Sequence, residues 1–443
     1  MITIARWKLP GPPGEGEPYS YSPPGLGDTT NRQHTQKRKL VQQGLVDSGY
    51  YTTSYLDEIP AGNKYVVILS YYADLLEGDD STVRPLGIIR RRVDQELNPE
   101  QSITMCDRLR SDSEQGLVHW VIANPTEVIK SDYYHWNNIR RVLHAPSGCV
   151  SLAVGNQSNG SDATSTKLQS LGKYHGINVV TLNTLKGFIL EPTAEQQAEY
   201  NVQKLDRIYS MKTNSYTALC YNRILREHRY ATVSHIVQSP HRQRTLFSLL
   251  KLSSPSNRPY QQVKERVLAH PDLAYLAEGS KWLAANNSKD FVILDETVDA
   301  EVNLARSVPL AHGLNSNFQL VTETFEADYG AFITEKSYKP FYFLQPFVQV
   351  GDCGNIAELR KLGYDVFDDV VDHSYDSEPD WGTRIAVALE EYDRLCAWPD
   401  EQWAIVLRDI APRLLANLKL VQEQSDSRGA GELLDVLLKW KYS

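Results

Sequence analysis

The chain has 443 residues, of which 41% are hydrophobic and 23% charged, with a net charge of -9 from 46 basic and 55 acidic residues. That length suggests two or three domains, and the composition excludes a disordered or fibrous chain. No run of eighteen apolar residues appears, the first residues lack the apolar core of a signal peptide, and five scattered cysteines form neither a disulfide framework nor a zinc motif, so a cytoplasmic protein is expected.

Residues 1–60 read as an extended arm. They contain PGPPGEGEP and SPPGLGD and almost no apolar periodicity, a composition that buries too little surface to offset its ordering entropy. From Lys64 the pattern changes. KYVVIL (64–69), LVHWVI (117–122), CVSLAV (149–154) and INVVTL (177–182) are short Val/Ile-rich runs of the kind found in buried parallel strands. Helix-like segments with Ser or Asp at their starts separate the later ones, which indicates an α/β domain over residues 61–205.

The same alternation recurs over 206–396. YTALCYN (216–222), RTLFSLL (244–250), FQLVTETF (318–325) and PFVQVG (346–351) read as strands. LREHRYATVSHIVQ (225–238), about 334–344, and NIAELRKLGY (355–364) read as helices, the last closed by Gly363. Residues 397–443 read as C-terminal helices that cross back to brace the first domain. The predicted architecture is therefore two α/β units in series, with a helical C-terminus.

Charge is unevenly distributed. Between Asp206 and Arg266 there are 11 Lys/Arg against 3 Asp/Glu, and between Asp365 and Asp380 there are 7 acidic residues with no Lys or Arg. The basic block contains CYNRILREHR, in which Arg223, Arg226 and Arg229 recur at three-residue spacing, expected on one side of a helix that opens after a strand. Arginine forks suit a diphosphate, and a helix N-terminus adds favourable dipole and amide groups. An ordinary solvated helix face has the same pattern.

The second constellation is VTETFEADYGAFITEKSYKPFYFLQPFVQVGD (321–352). A strand ends at Glu323, a turn carries Glu326 and Asp328, and a helix opens at Thr334, Glu335 and Lys336. Lys336 and Lys339 can meet phosphate, and Glu323, Glu326 or Glu335 can accept both protons of a sugar diol. A capping box on a solvated first turn is the alternative reading.

ADYGAFITEKSYKPFYFLQPFVQVGD resembles the donor-binding signature of the α-1,3-fucosyltransferase family, and more closely the fucosyltransferase-like proteins of bacteriophages and bacteria. The matching residues are Asn222-Arg223, Arg226, His228-Arg229, Thr334-Glu335-Lys336-Ser337 and Lys339-Pro340. The resemblance covers roughly residues 215–395. It implies two facing Rossmann-like domains and inverting transfer without an obligatory bound metal or other cofactor, a nucleotide-diphosphate sugar being the donor substrate. Glu335 and Lys336 match the family's Thr-Glu-Lys, and Arg223 or Arg229 its diphosphate arginine. The spacing departs upstream: Glu323 lies twelve and Glu326 nine residues before Glu335, against ten in the family.

The acceptor, a glycan or another hydroxyl compound, would need a general base. The first domain offers Asp74 and Asp79 in YYADLLEGDD. Asp372, His373 and Asp376 could ligate a metal but read better as a solvated acidic loop, so no metal site is assigned. Two other readings follow from the sequence. In one, a non-enzymatic assembly protein keeps a transferase-like fold, its N-terminal arm binding a protein partner. In the other, KRK (37–39) and RRR (90–92) serve a DNA acceptor. No membrane partner is indicated.

Overall fold

The apolar runs form two separate all-parallel sheets. The computed structural model describes residues 2–6, 51–55, 58–69, 99–124, 139–140, 143–154, 170–181, 192–222, 225–248, 259–286, 308–324, 331–423 and 430–443. The chain divides into one unit of residues 1–185 with 426–443, and a second of residues 186–425. Each is a Rossmann-like α/β unit.

The first unit holds β1 (Ile2–Arg6), β2 (Tyr51–Tyr55), β3 (Tyr65–Leu69), β4 (Val118–Asn124), β5 (Val150–Val154) and β6 (Asn178–Thr181), in the order β2-β1-β3-β4-β5-β6. Helix α1 (Pro99–Glu114) lies between β3 and β4 in sequence. Parallel strands buried on both faces explain the continuous runs of Val and Ile: Val66, Val67, Trp120, Val121, Val150 and Leu152 have no exposure. The expected extended arm is corrected at both ends. Its Ile2–Arg6 and Tyr51–Tyr55 pair with each other in register, and Ile4 also faces Val66. Each strand has only five residues, too few for a periodicity to mark it. The arm's residues 7–50 lie outside the described residues.

The last helix of the chain, here called the returning helix (Ala430–Tyr442), completes this unit's core with Leu433, Leu434, Leu437 and Trp440. The Trp440 indole donates to Gly116 O at 3.3 Å, and Lys64 Nζ donates to Trp440 O at 2.8 Å.

The second unit holds α2 (Ala194–Tyr209), β7 (Tyr216–Cys220), α3 (Glu227–Gln238), β8 (Thr245–Phe247), α4 (Tyr260–Leu268), α5 (Ala277–Asn286), α6 (Leu310–Leu314), β9 (Ser316–Thr322), α7 (Glu335–Tyr342), β10 (Phe347–Val350), α8 (Asn355–Lys361), α9 (Trp381–Cys396) and α10 (Asp400–Glu423); the returning helix is then α11. Its strand order is β10-β9-β7-β8. The sequence boundary at 205/206 falls inside α2, and the structure moves it to 186 because α2 packs on the second unit. Gln197 Nε2 donates to Tyr342 O at 3.0 Å and Tyr200 Oη to Phe343 O at 2.7 Å. The expected separate block 397–443 also divides: Trp403, Leu407 and Leu414 of α10 join the second core, whereas α11 joins the first.

The acidic run is a set of ties. Arg413 bonds both oxygens of Asp365 and of Asp369, Arg360 pairs with Asp368, and Asp376 caps α8 by accepting from Ile356 N and Ala357 N, each at 2.9 Å. Asp380 caps α9 through Gly382 N and Thr383 N. Asp372 accepts from Ser374 N, and His373 is buried against Tyr375 Oη and Val366 O.

Lys204 on α2 is fully buried and donates to Gly313 O at 2.7 Å and Ser316 O at 2.8 Å. Burial, with the Arg207 charge adding to it, pushes its ammonium from 10.5 down to about 7. Between those values the unfolded chain holds a proton that the folded one has released, so stability should rise with pH. Between pH 7 and 9 the gain should reach about 2 kcal/mol, at roughly 1.4 kcal/mol per unit. Lys204→Met should flatten most of this rise, because Gln345 Nε2 still donates to the same two carbonyls. Urea midpoints at pH 7, 8 and 9 provide the measurement, and an unchanged slope in the variant would refute the assignment.

Candidate functional site

In the second sheet the chain leaves β7 toward β8 on one side and β9 toward β10 on the other. The carboxyl ends of β7 and β9 therefore flank the crevice where the winding direction reverses, the usual ligand position in open α/β sheets. The two sequence constellations follow these two strands. Asn222 fastens the strand ends together. It accepts from Thr322 Oγ1 at 2.7 Å through its side chain, its amide donates to Ser248 Oγ at 3.1 Å, and its carbonyl accepts from that hydroxyl at 3.2 Å.

Beyond β7, Arg226 is the extended N-cap of α3, with φ -143° and ψ 166°, and Arg229 stands in the first turn. The helix starts only at Glu227, so Arg226 precedes it and does not share a helical face with Arg229 as the spacing suggested. Arg223 lies outside the described residues. Arg229 is 4% exposed and His228 is fully buried. Burial, reinforced by the Arg226 charge and opposed by Glu323 and Glu335, lowers Arg229 to about 10, so it stays cationic at neutral pH. Burial and the charges of Arg229 and Arg226 push His228 well below its usual value, against the pull of the Glu323 carbonyl, which leaves the ring neutral.

Beyond β9, Glu323 N donates to Val350 O at 2.9 Å, carrying the ladder one residue past the strand. Its side chain is fully buried. Oε1 accepts from Thr334 N at 2.6 Å and Ser337 Oγ at 2.7 Å, and Oε2 from Thr324 N at 2.5 Å and from Thr334 Oγ1. Thr334 is the N-cap of α7 and accepts from Lys336 N at 3.4 Å. Lys336 Nζ donates to Glu335 Oε1 at 2.8 Å, Thr334 Oγ1 at 2.9 Å and Thr324 Oγ1 at 3.2 Å, and lies 3.7 Å from Glu323 Oε2.

Glu335 is partly exposed, its side chain 13% accessible. Burial raises its carboxyl, but the charge and hydrogen bond of Lys336, with the charge of Lys339, hold it below the usual carboxylate range. Lys339 sits one turn into α7, 3% exposed, with its ammonium 5.7 Å from the centre of the Tyr221 ring. Burial lowers it to about 8, against the charge of Glu335.

The structure thus brings Arg226, Arg229, Lys336, Glu323, Thr334 and Glu335 to one crevice. Glu326, Asp74 and Asp79 lie outside the described residues; Asp74 and Asp79 belong to the segment that follows β3. In the first sheet β1 leads to β2 on one side and β3 to β4 on the other, so β3 also borders a point of reversal. Sequence reasoning missed Asn222 as a cross-strand tie, Gln349, which donates to Ser337 Oγ at 2.9 Å, and Asn355, which accepts from Phe332 N at 2.7 Å. Asn222 stands in the Asn-Arg pair that carries the resemblance, but a single polar residue has no periodic signature, so nothing in the sequence pointed to these three ties.

Among the described residues, His270, Asp272 and Asp380 bring three ligand-type atoms within 4.8 Å of one another. Their hydrogen bonds are those of helix caps: His270 Nε2 meets Asp380 Oδ1 at 2.8 Å, and His270 Nδ1 accepts from Asp272 N at 3.3 Å. None of the described helices is long and apolar enough to cross a membrane.

No protein-family model matches the chain, and no curated protein matches it in sequence. Among solved structures it is similar to a glycosyltransferase from Rickettsia africae ESF-5, at 9% identity and a TM-score of 0.37 over 99% of this chain and 98% of that one. The class defined by the fold is a two-unit Rossmann-like α/β protein with a helical C-terminus.

Proposed function

We propose that the chain is a glycosyltransferase that moves a sugar from a nucleotide-diphosphate donor to a hydroxyl acceptor with inversion. The observation that carries this reading is the gathering, among the described residues, of Arg226, Arg229, Lys336 and Lys339 with the carboxylates Glu323 and Glu335 at the reversal point of the second sheet. Guanidinium and ammonium groups gathered in this way suit a diphosphate, and the N-termini of α3 and α7 add amide dipoles of the same sign. The resemblance of the Thr-Glu-Lys block to fucosyltransferase-like proteins agrees with that ligand.

In the proposed reaction the acceptor oxygen attacks the anomeric carbon, the bond from that carbon to the diphosphate oxygen breaks, and a base takes the acceptor proton. Asp74 or Asp79 of the first unit is the proposed base. Arg226, Arg229 and Lys336 stabilise the charge that builds on the departing diphosphate. Glu335, only partly engaged with Lys336, is the proposed acceptor for ribose or sugar hydroxyls.

Thermal denaturation with a panel of nucleoside diphosphates, followed by assay of nucleotide release from the matching sugars, tests the reading. At 100 times its dissociation constant a ligand adds about 2.7 kcal/mol, which gives a shift of several degrees. A panel with no shift would remove the proposal.

A further inference from the structure

Glu323 is placed among the binding groups by its charge, yet its own contacts leave it nothing to bind with. A carboxylate offers about four lone-pair positions. All four have donors: Thr334 N and Ser337 Oγ on one oxygen, Thr324 N and Thr334 Oγ1 on the other. The side chain has no exposed surface. Each donor belongs to the turn that opens α7 or to the second residue after β9. Ser337 Oγ in turn accepts from Gln349 Nε2, which ties the same turn to β10. The Thr334 hydroxyl, having given its proton to Glu323, points its lone pairs at Lys336 N and Lys336 Nζ. The backbone carbonyl of Glu323 faces His228 in the first turn of α3. One residue therefore fixes the turn that opens α7 and lies beside the start of α3.

We propose that Glu323 is a positioning residue, which acts on the donor diphosphate through Thr334, Ser337 and Lys336 without touching it. This rests on the donor-site reading above. Glu323→Gln separates this role from simple electrostatics, because the two predict opposite signs. Removing a carboxylate 3.7 Å from Lys336 Nζ should tighten an anion if charge were all that mattered. If Glu323 sets the turn, the anion should weaken, since the amide group of Gln turns a donor toward Thr324 N and loosens Thr334.

The probe is inorganic pyrophosphate, titrated calorimetrically at low salt into the full chain, with circular dichroism confirming that wild type and variant are both folded. Glu323→Gln should lose about tenfold or more in affinity. Ser337→Ala, which keeps the charge and removes one donor together with its Gln349 tie, should lose about threefold. A merely structural role would lower the melting temperature and leave the affinity of the folded protein unchanged. Unchanged or tighter binding in Glu323→Gln overturns the assignment. If wild type binds neither pyrophosphate nor any nucleoside diphosphate, the donor-site reading falls and takes this one with it.

Discussion

Arg229→Ala is expected to weaken nucleoside diphosphate binding by about 100-fold or more while the protein stays folded. The magnitude follows from burial. Removing one partner of a buried, hydrogen-bonded charge pair costs about 2–5 kcal/mol, and Arg229 is 4% exposed in the field of Glu323 and Glu335. Without it those carboxylates face an incoming diphosphate with less cationic compensation. Arg229→Lys should recover little, because an ammonium cannot present two parallel donors to adjacent phosphate oxygens. The same cluster predicts a pH dependence. Lys339, at about 8, loses its proton before Arg229, at about 10. Affinity should therefore fall between pH 7 and 9, and Lys339→Arg should remove most of that fall. Calorimetric titration of the diphosphate at pH 7, 8 and 9 measures both effects; an Arg229→Ala variant that binds within threefold of wild type would contradict the placement of the clamp.

Gly279→Ala is expected to destabilise the fold by about 3 kcal/mol, at the upper end for overpacking. A Cβ on Gly279 would stand 1.9 Å from Ser234 O, 2.6 Å from Ser234 C and 2.9 Å from Ser234 Cα. These are backbone atoms of α3, so no rotamer change relieves the clash and the two helices must separate. The contact is braced beside it, where Gly279 N donates to Gln238 Oε1 at 2.9 Å and Tyr230 Oη meets Ser280 Oγ at 2.5 Å. Because α3 begins with the arginine segment, moving it should also weaken diphosphate binding. The urea midpoint is the measurement, and a midpoint equal to wild type would show that the helices part without cost.

The strands and the two strand-to-helix junctions of the site were legible because both rest on local patterns. All four predicted strands of the second sheet appear within a few residues of their expected ends, and so do KYVVIL, LVHWVI, CVSLAV and INVVTL of the first. Apolar runs buried on both faces are read directly from composition. The start of α7 was equally visible, because Thr334 both caps the helix and opens the Thr-Glu-Lys block. Strand order was not legible, since it depends on long-range pairing: nothing in ITIAR or YTTSY marks them as neighbours of each other and of KYVVIL. The role of Glu323 was hidden for a related reason. A carboxylate at a strand end looks the same in sequence whether it faces a ligand or is enclosed by its own chain, and only the four donors distinguish the two. The acidic run was visible as charge but not as structure, because its main partner, Arg413, lies on α10.

The placement of α11 sets an order of assembly during synthesis. The second unit is one continuous stretch, 186–425, whereas the first is interrupted by it and ends with 426–443. Leu433, Leu437 and Trp440 belong to the core beneath β3, β4 and β5, yet they are translated more than 250 residues after those strands. The sheet made first on the ribosome thus waits with part of its apolar face uncovered, while the unit made second has all the chain it needs to close. Maturation of the first unit in this way depends on residues 426–443, and a chain stopped at residue 425 would contain a complete second unit attached to an unfinished first one.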